Sequence, residues 1–146
     1  MSSLQTLRNR AAVRQDFLCY YCGAAMWLGD PGAYCVRFGI SPKRALRFQC
    51  TAEHLVARQD NGGDEEDNIV AACRHCNWQR HWPRLPTHKA ASPLQFREQV
   101  QAEVAQRRWH PKWAWKAGIM AQRQGRSSGF RMEKLLVDEQ IQMQLD

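Results

Sequence analysis

No stretch of this 146-residue chain approaches the roughly 20 consecutive apolar residues that a membrane-spanning helix needs, so an integral membrane protein is not expected. The first 17 residues carry Arg8, Arg10 and Arg14 without an apolar core behind them, which excludes a secretory signal reading and leaves the cytoplasm as the expected location. Acidic residues are scarce, 14 against 21 Lys and Arg, and the formal charge is +7. An excess of that kind favours polyanionic partners, because each Lys or Arg that meets a phosphate releases condensed counterion. With a membrane surface disfavoured, nucleic acid leads. The chain is too short for two full-sized domains, and it suits either one compact domain or a smaller motif with a substantial extension. There is no internal repeat. Disorder is excluded by a hydrophobic share of 44% and six tryptophans available to pack.

Six cysteines could form three disulfides, but a reducing compartment and the spacing argue otherwise. Cys19-x2-Cys22 and Cys73-x2-Cys76 read as a metal site, with a redox pair among buried thiols as the bland competitor. Gly23 supplies the tight turn that lets two thiolates aim at one ion. Cys35 and Cys50 fall outside both pairs and read as ordinary buried thiols or, less readily, as alternative ligands.

Apolar positions at helical spacing over 4–18, with arginines between them, predict a short amphipathic helix entering the first cysteine pair. Residues 24–45 hold Gly29, Pro31, Gly32, Gly39 and Pro42 among scattered aromatics and predict a looped insertion of little regularity. The run from Leu46 to Val56 is strand-like, and a turn-rich acidic segment (RQDNGGDEED) separates it from a second apolar run at 69–72. Gly62 and Gly63 let that loop fold back, and the acids Asp60, Asp64, Glu65, Glu66 and Asp67 read as a solvated run without a catalytic role. Residues 73–82 contain neither Gly nor Pro, and Pro83 stops a helix there. The order is therefore strand, loop, strand, helix. Ser92-Pro93 predicts an N-cap and first helical residue of a helix to about Arg108; Pro83 to Pro86 reads as a linker, Gly125 to Gly129 as a flexible basic stretch, and about 132–145 as a final amphipathic helix.

Taken in order, Cys19-x2-Cys22, Glu53-His54, Asn68 and Cys73-x2-Cys76-Asn77-x3-His81 resemble the HNH endonuclease family over residues 19–81. The resemblance implies an α+β fold, a small zinc-stapled ββα-metal motif with flanking helices, followed here by a basic, mainly helical C-terminal extension. The expected division is residues 1–82 for the N-terminal helix and nuclease core and 83–146 for the extension. The four thiolates of Cys19, Cys22, Cys73 and Cys76 would surround a structural Zn²⁺ at about 2.3 Å. A core of two short strands and one helix needs such a staple, because it buries too little to outweigh chain entropy alone.

The resemblance also implies an activity, metal-dependent hydrolysis of phosphodiester bonds in DNA, duplex first. At the motif position of His54 the family has its general base, and an unperturbed imidazole titrating near roughly 6.5 suits proton transfer from water near neutral pH. The residue before it is a metal ligand in the family, often Asp or His. Glu53 stands there as a hard oxygen donor for Mg²⁺ or Mn²⁺, with Ni²⁺ or Zn²⁺ as further options. Strand alternation points Glu53 and His54 to opposite faces unless the backbone bends. Asn77 and His81 lie four apart on one helix face and can reach one ion together. Some members of the family carry two metal-binding histidines at this separation and others an Asn where Asn77 stands, so His81 is open between ligand, outer partner of a ligand and phosphate contact. Asn68, the family's central Asn, is expected to hydrogen-bond across the loop and hold the catalytic histidine in place. His75 reads as a surface or DNA-facing side chain.

Between Arg84 and Arg131 the only acids are Glu98 and Glu103, so the positive charge is concentrated in the extension, where phosphate contacts would position DNA without reading its sequence. Trp109, Trp113 and Trp115 can be stacking platforms for bases, with core packing the favoured fate. The rival to a nuclease is a zinc-bearing nucleic-acid-binding module without catalysis; a protein-interaction knuckle is a third reading. Monomer and homodimer both stay open.

Overall fold

The structure, a computed structural model, describes residues 2–82 and 92–120. The expected linker at Pro83–Pro86, the Gly125–Gly129 stretch and the terminal helix at 132–145 lie outside the described residues. Among those described, no helix is long and apolar enough to cross a membrane.

Helix α1 (Leu4–Arg14) starts at Ser3, whose hydroxyl accepts from the Thr6 N–H at 3.1 Å, and buries Leu7, Ala11 and Ala12. It ends earlier than its apolar spacing predicts because Asp16 and Phe17 take positive φ angles of 52° and 58°, turning the chain into the first cysteine pair. Just past the helix, Gln15 clamps the sheet: its amide accepts from the Ala71 N–H at 2.9 Å and donates to the Ala71 carbonyl at 2.8 Å. That occupies the sheet edge, where the Ala71 carbonyl also accepts from the Tyr20 N–H at 2.9 Å.

The sheet has two antiparallel strands, β1 (Cys50–His54) and β2 (Ile69–Cys73), in the register Cys50 to Cys73 and His54 to Ile69. The first strand begins later than Leu46, since Leu46–Phe48 forms a 3-10 turn. Two strands alone are marginal in water. Here α1 packs on them, as does α4 (Arg74–His81), which leaves β2 directly with Cys73 as its N-cap.

The segment 24–45, expected as irregular, contains two short helices, α2 (Gly32–Phe38) and α3 (Pro42–Ala45). The deciding contacts are tertiary. Tyr34 and Phe38 lie four apart and enter the core, the Tyr34 hydroxyl donates to the Ala25 carbonyl at 2.7 Å, and the Trp27 indole donates to the Ala45 carbonyl at 2.7 Å. Gly39 ends α2 in the left-handed conformation, and Ser41 caps α3 with Pro42 at its first turn.

Helix α5 (Pro93–Ala105) carries the capping box of Ser92 and Gln95, and α6 (Lys112–Lys116) follows. Phe96, Val100, Ala114, Ile119 and Met120 join the same buried cluster as Tyr21, Tyr34 and Phe48. Trp109 and Trp113 pack edge-on against Phe96 and Phe48, so these tryptophans follow the core reading rather than the stacking one.

His110 is a cost built into this packing. It is buried, its Nδ1 accepts from Arg47 Nε at 2.9 Å, and its Nε2, which therefore carries the proton, has no hydrogen-bond partner among the described residues. Burial, then the positive charge of Arg47 and the proximity of His75, hold it well below the ordinary histidine range. The unfolded chain thus binds a proton that the native one refuses, and stability falls as pH drops below about 6.5, by at most about 1.4 kcal/mol per pH unit. Denaturant titrations should show a shallower acid dependence for His110→Gln than for the natural chain; parallel curves would exclude His110 as the source.

Candidate metal centre and active site

The turn after α1 is a knuckle. Gly23, with φ 75°, donates to the Cys19 carbonyl at 2.9 Å, and Cys19 donates to the Ala24 carbonyl at 2.9 Å, which aims both sulfurs the same way. The junction of β2 and α4 brings Cys73 and Cys76 to them. All four sulfurs are buried and lie within 4.8 Å of one another, with Cys22 and Cys73 at 3.9 Å. A tetrahedron with metal–sulfur bonds of about 2.3 Å has edges of about 3.8 Å, so the cluster has the dimensions to hold zinc.

Each sulfur also receives an N–H: Cys19 from the Cys73 backbone, Cys22 from Ala24, Cys73 from Cys76, and Cys76 from the Trp109 indole at 3.2 Å. Such donors stabilise thiolates. Burial pushes the Cys22 and Cys76 thiols well up. Burial raises Cys19 too, but hydrogen bonds from Cys22, Cys73 and Cys76 outweigh it and hold that thiol well down. Without a cation the site favours few negative charges, whereas a dication lets all four ionise. Cys35 and Cys50 stand outside the cluster, and burial pushes Cys50 up to about 12, an inert thiol.

Two neighbours of the knuckle differ from expectation. Trp109, expected as a packing or stacking group, also caps a sulfur with its indole. His75 is not a free surface residue: its Nε2 lies 3.0 Å from the Arg47 guanidinium and its ring contacts Trp109 and His110. Both tie the extension to the metal site.

One turn along α4 from Asn77, His81 meets Glu53 of β1. The carboxylate is 2% exposed; Oε1 accepts from the Tyr21 hydroxyl at 3.3 Å and Oε2 lies 3.1 Å from His81 Nε2. The hydrogen bond to Glu53 raises His81 above its ordinary value, burial opposing it. Burial and then Glu53 push the Tyr21 hydroxyl up, so it stays a donor. A buried carboxylate beside an imidazole that is half open to solvent is a donor set suited to a divalent cation, whose remaining positions water and phosphate oxygens can fill. Asn77, expected as a third ligand through its amide oxygen, donates its amide N–H groups to Thr51 Oγ1 at 2.9 Å and the Ala52 carbonyl at 3.0 Å. These bonds stitch α4 to β1 beside the pair.

His54 turns to the loop. Its Nε2 lies 2.8 Å from Asp64 Oδ1, and Arg58 donates to both oxygens of the same carboxylate at 3.0 and 2.8 Å. Hydrogen bonds from His54 first and Arg58 second hold Asp64 below the usual carboxylate range. Asn68 places this loop: its amide accepts from the Val56 N–H at 2.8 Å and donates to the carbonyls of Val56 and Gly63 at 3.1 and 2.9 Å. Gly62 passes so close to Val56 that a Cβ would meet its carbonyl oxygen at 1.7 Å, so only glycine fits. Two of the acids are therefore not merely solvated. Asp64 holds His54, and Glu66 pairs with Arg14 at 2.9 Å. Nothing in a run of five acids marks Asp64 apart from the others; only its place just after the Gly62 turn hints at it.

Of the basic residues expected to meet phosphate, Arg108 pairs with Glu103, Arg97 lies over Tyr20 at 4.3 Å and Arg107 over Trp115 at 5.9 Å. Arg84, Lys89, Arg123, Arg126 and Arg131 lie outside the described residues.

Two strands and a helix clasped by four cysteines, with a carboxylate–imidazole pair and a second imidazole at one strand end, define a small α+β unit of the ββα-metal class. Comparison agrees with that class: residues 34–82 match the family model described as HNH endonuclease. The match spans β1, the loop, β2 and α4; the fold adds Cys19 and Cys22 from outside it. No curated protein and no solved structure matches the chain.

Proposed function

We propose that the chain is an endonuclease that hydrolyses phosphodiester bonds in DNA with His54 as general base and a divalent ion, Mg²⁺ or Mn²⁺, held by Glu53 and His81. The observation that carries this reading is the pairing of a buried Glu53 with His81 one residue from a His54 that a carboxylate already orients. Zinc in the cysteine cluster is structural and takes no part in the chemistry.

An Asp64 carboxylate can only accept, so the Nε2 of neutral His54 carries the proton and Nδ1 is left with the lone pair. That nitrogen takes a proton from the attacking water. Arg58 keeps Asp64 ionised and in place. A divalent ion held by Glu53 and His81 would supply positive charge to the scissile phosphate and the leaving oxygen. Asn68 and Asn77 position, through the loop and the strand respectively.

Asp64→Asn can present its amide to His54 and favour the wrong tautomer, so cleavage should fall by about 10- to 100-fold, the scale of losing a partner that orients a catalytic or ligating group. Asp64→Glu should recover part of it. Steady-state rates on a plasmid check this, and an unchanged Asp64→Asn rate would remove Asp64 from the site.

The function itself is tested by offering supercoiled plasmid, single-stranded DNA and RNA to the zinc-loaded chain with Mg²⁺, Mn²⁺, Ni²⁺ or Zn²⁺. Metal-dependent cleavage of DNA is expected. Binding without cleavage under every condition would favour the rival, a zinc-bearing nucleic-acid-binding module.

A further inference from the structure

Helix α4 carries more than the candidate cation residues. Arg74 and Trp78 are four apart on one face of it, and Trp82, four further on, is its C-cap, whose N–H still donates to the Trp78 carbonyl at 2.7 Å; all three are exposed, Trp78 at 53% and Trp82 at 71%. The opposite face is the structural one, where Cys76 and Gln79 are buried. Asn77 and His81 form the neighbouring stripe. Trp109, Trp113 and Trp115 are packed, so the two exposed indoles are not a general feature of the tryptophans here. Neither indole has a ring or hydrogen-bond partner among the described residues.

Two large apolar groups left in water next to a candidate active site mark a contact surface rather than chance exposure. We propose that Trp78 and Trp82 form a stacking platform for unpaired bases of a DNA strand, so that the preferred substrate is DNA with a single-stranded or unstacked segment at the Glu53–His81 pair. Charge favours nucleic acid over an apolar protein partner, because Arg74 heads the stripe and can meet a phosphate while the chain as a whole carries +7. Geometry favours unpaired bases over a duplex. Duplex base faces are hidden in the stack, and an indole can use only a face or a groove edge. Residues four apart on a helix also rise by about 6 Å, against about 3.4 Å per nucleotide in a duplex strand. Neighbouring bases lying on the two rings must therefore be drawn apart, which an unpaired strand permits. The platform deepens the nuclease reading by naming its substrate, and it rests on that reading for its purpose but not for its binding.

The test is fluorescence anisotropy of the zinc-loaded full chain, without Mg²⁺ or Mn²⁺, on a labelled thymidine oligonucleotide and a blunt duplex of equal length. The natural chain should prefer the single strand. Trp78→Ala and Trp82→Ala should each weaken single-strand binding by about tenfold and together by about a hundredfold, with duplex binding, zinc content and thermal melt unchanged; Trp78→Phe should keep most of the affinity. His54→Ala should bind as the natural chain does. Loss of the preference in the tryptophan variants overturns nothing about catalysis, and an inert natural chain with that preference intact would sink the nuclease reading alone. A double variant that binds the single strand as before, or one that changes only the sedimentation of the chain because the stripe joins two copies, would overturn the platform.

Discussion

His54→Ala is expected to lower metal-dependent DNA cleavage by about two to four orders of magnitude, the usual contribution of a positioned general base. The fold should survive, because His54 ends β1, is half-buried, and its side chain bonds to Asp64 of the exposed loop. Losing the imidazole also leaves Asp64 with Arg58 as a partner, so no carboxylate is stranded. The effect should therefore appear in the rate of the chemical step, measured under single turnover, with DNA binding close to that of the natural chain. A fall in binding instead of rate would recast His54 as a phosphate contact.

Withdrawing the metal from the cysteine cluster should act on the whole fold. Structural zinc contributes on the order of 10–16 kcal/mol of apparent binding energy in small zinc modules, more than a domain of this size holds in reserve. The cluster is the junction of everything else: Cys19 and Cys22 follow α1, Cys73 ends β2, Cys76 begins α4, and Trp109 of the extension bonds to Cys76. A strong chelator, or Cys73→Ser, should abolish the cooperative thermal transition followed by circular dichroism, with zinc restoring it only to the unsubstituted chain. A chelated chain that melts as before would mean the helices and the aromatic core suffice by themselves.

How much of this was legible beforehand divides along a physical line. The paired cysteines, the strand–loop–strand–helix order and the Ser92-Pro93 start of α5 are local signals, each carried by spacing or capping within a few residues, and the structure has these elements. The insertion at 24–45 looks irregular in the sequence because glycines and prolines punctuate it, while its short helices are held by bonds that Tyr34 and Trp27 make to the backbone of Ala25 and Ala45 within the same segment. The site divides the same way. Glu53 and His81 are recognisable by motif position, but which acid of the loop reaches His54 depends on how Gly62 and Asn68 fold it back. The place of Asn77's amide depends on Thr51 across the helix–strand contact. Trp109, His75 and His110 meet beside the knuckle only because Arg47 joins segments about sixty residues apart, a convergence no local pattern records.

The most direct measurement counts zinc and nicking on the same preparations, natural chain and His54→Ala side by side, as Mn²⁺ is titrated onto supercoiled plasmid. One zinc per chain in both, with saturable nicking by the first and almost none by the second, is the predicted result. Equal nicking by the two proteins at equal zinc content, or an inert natural chain at every Mn²⁺ concentration, would contradict it.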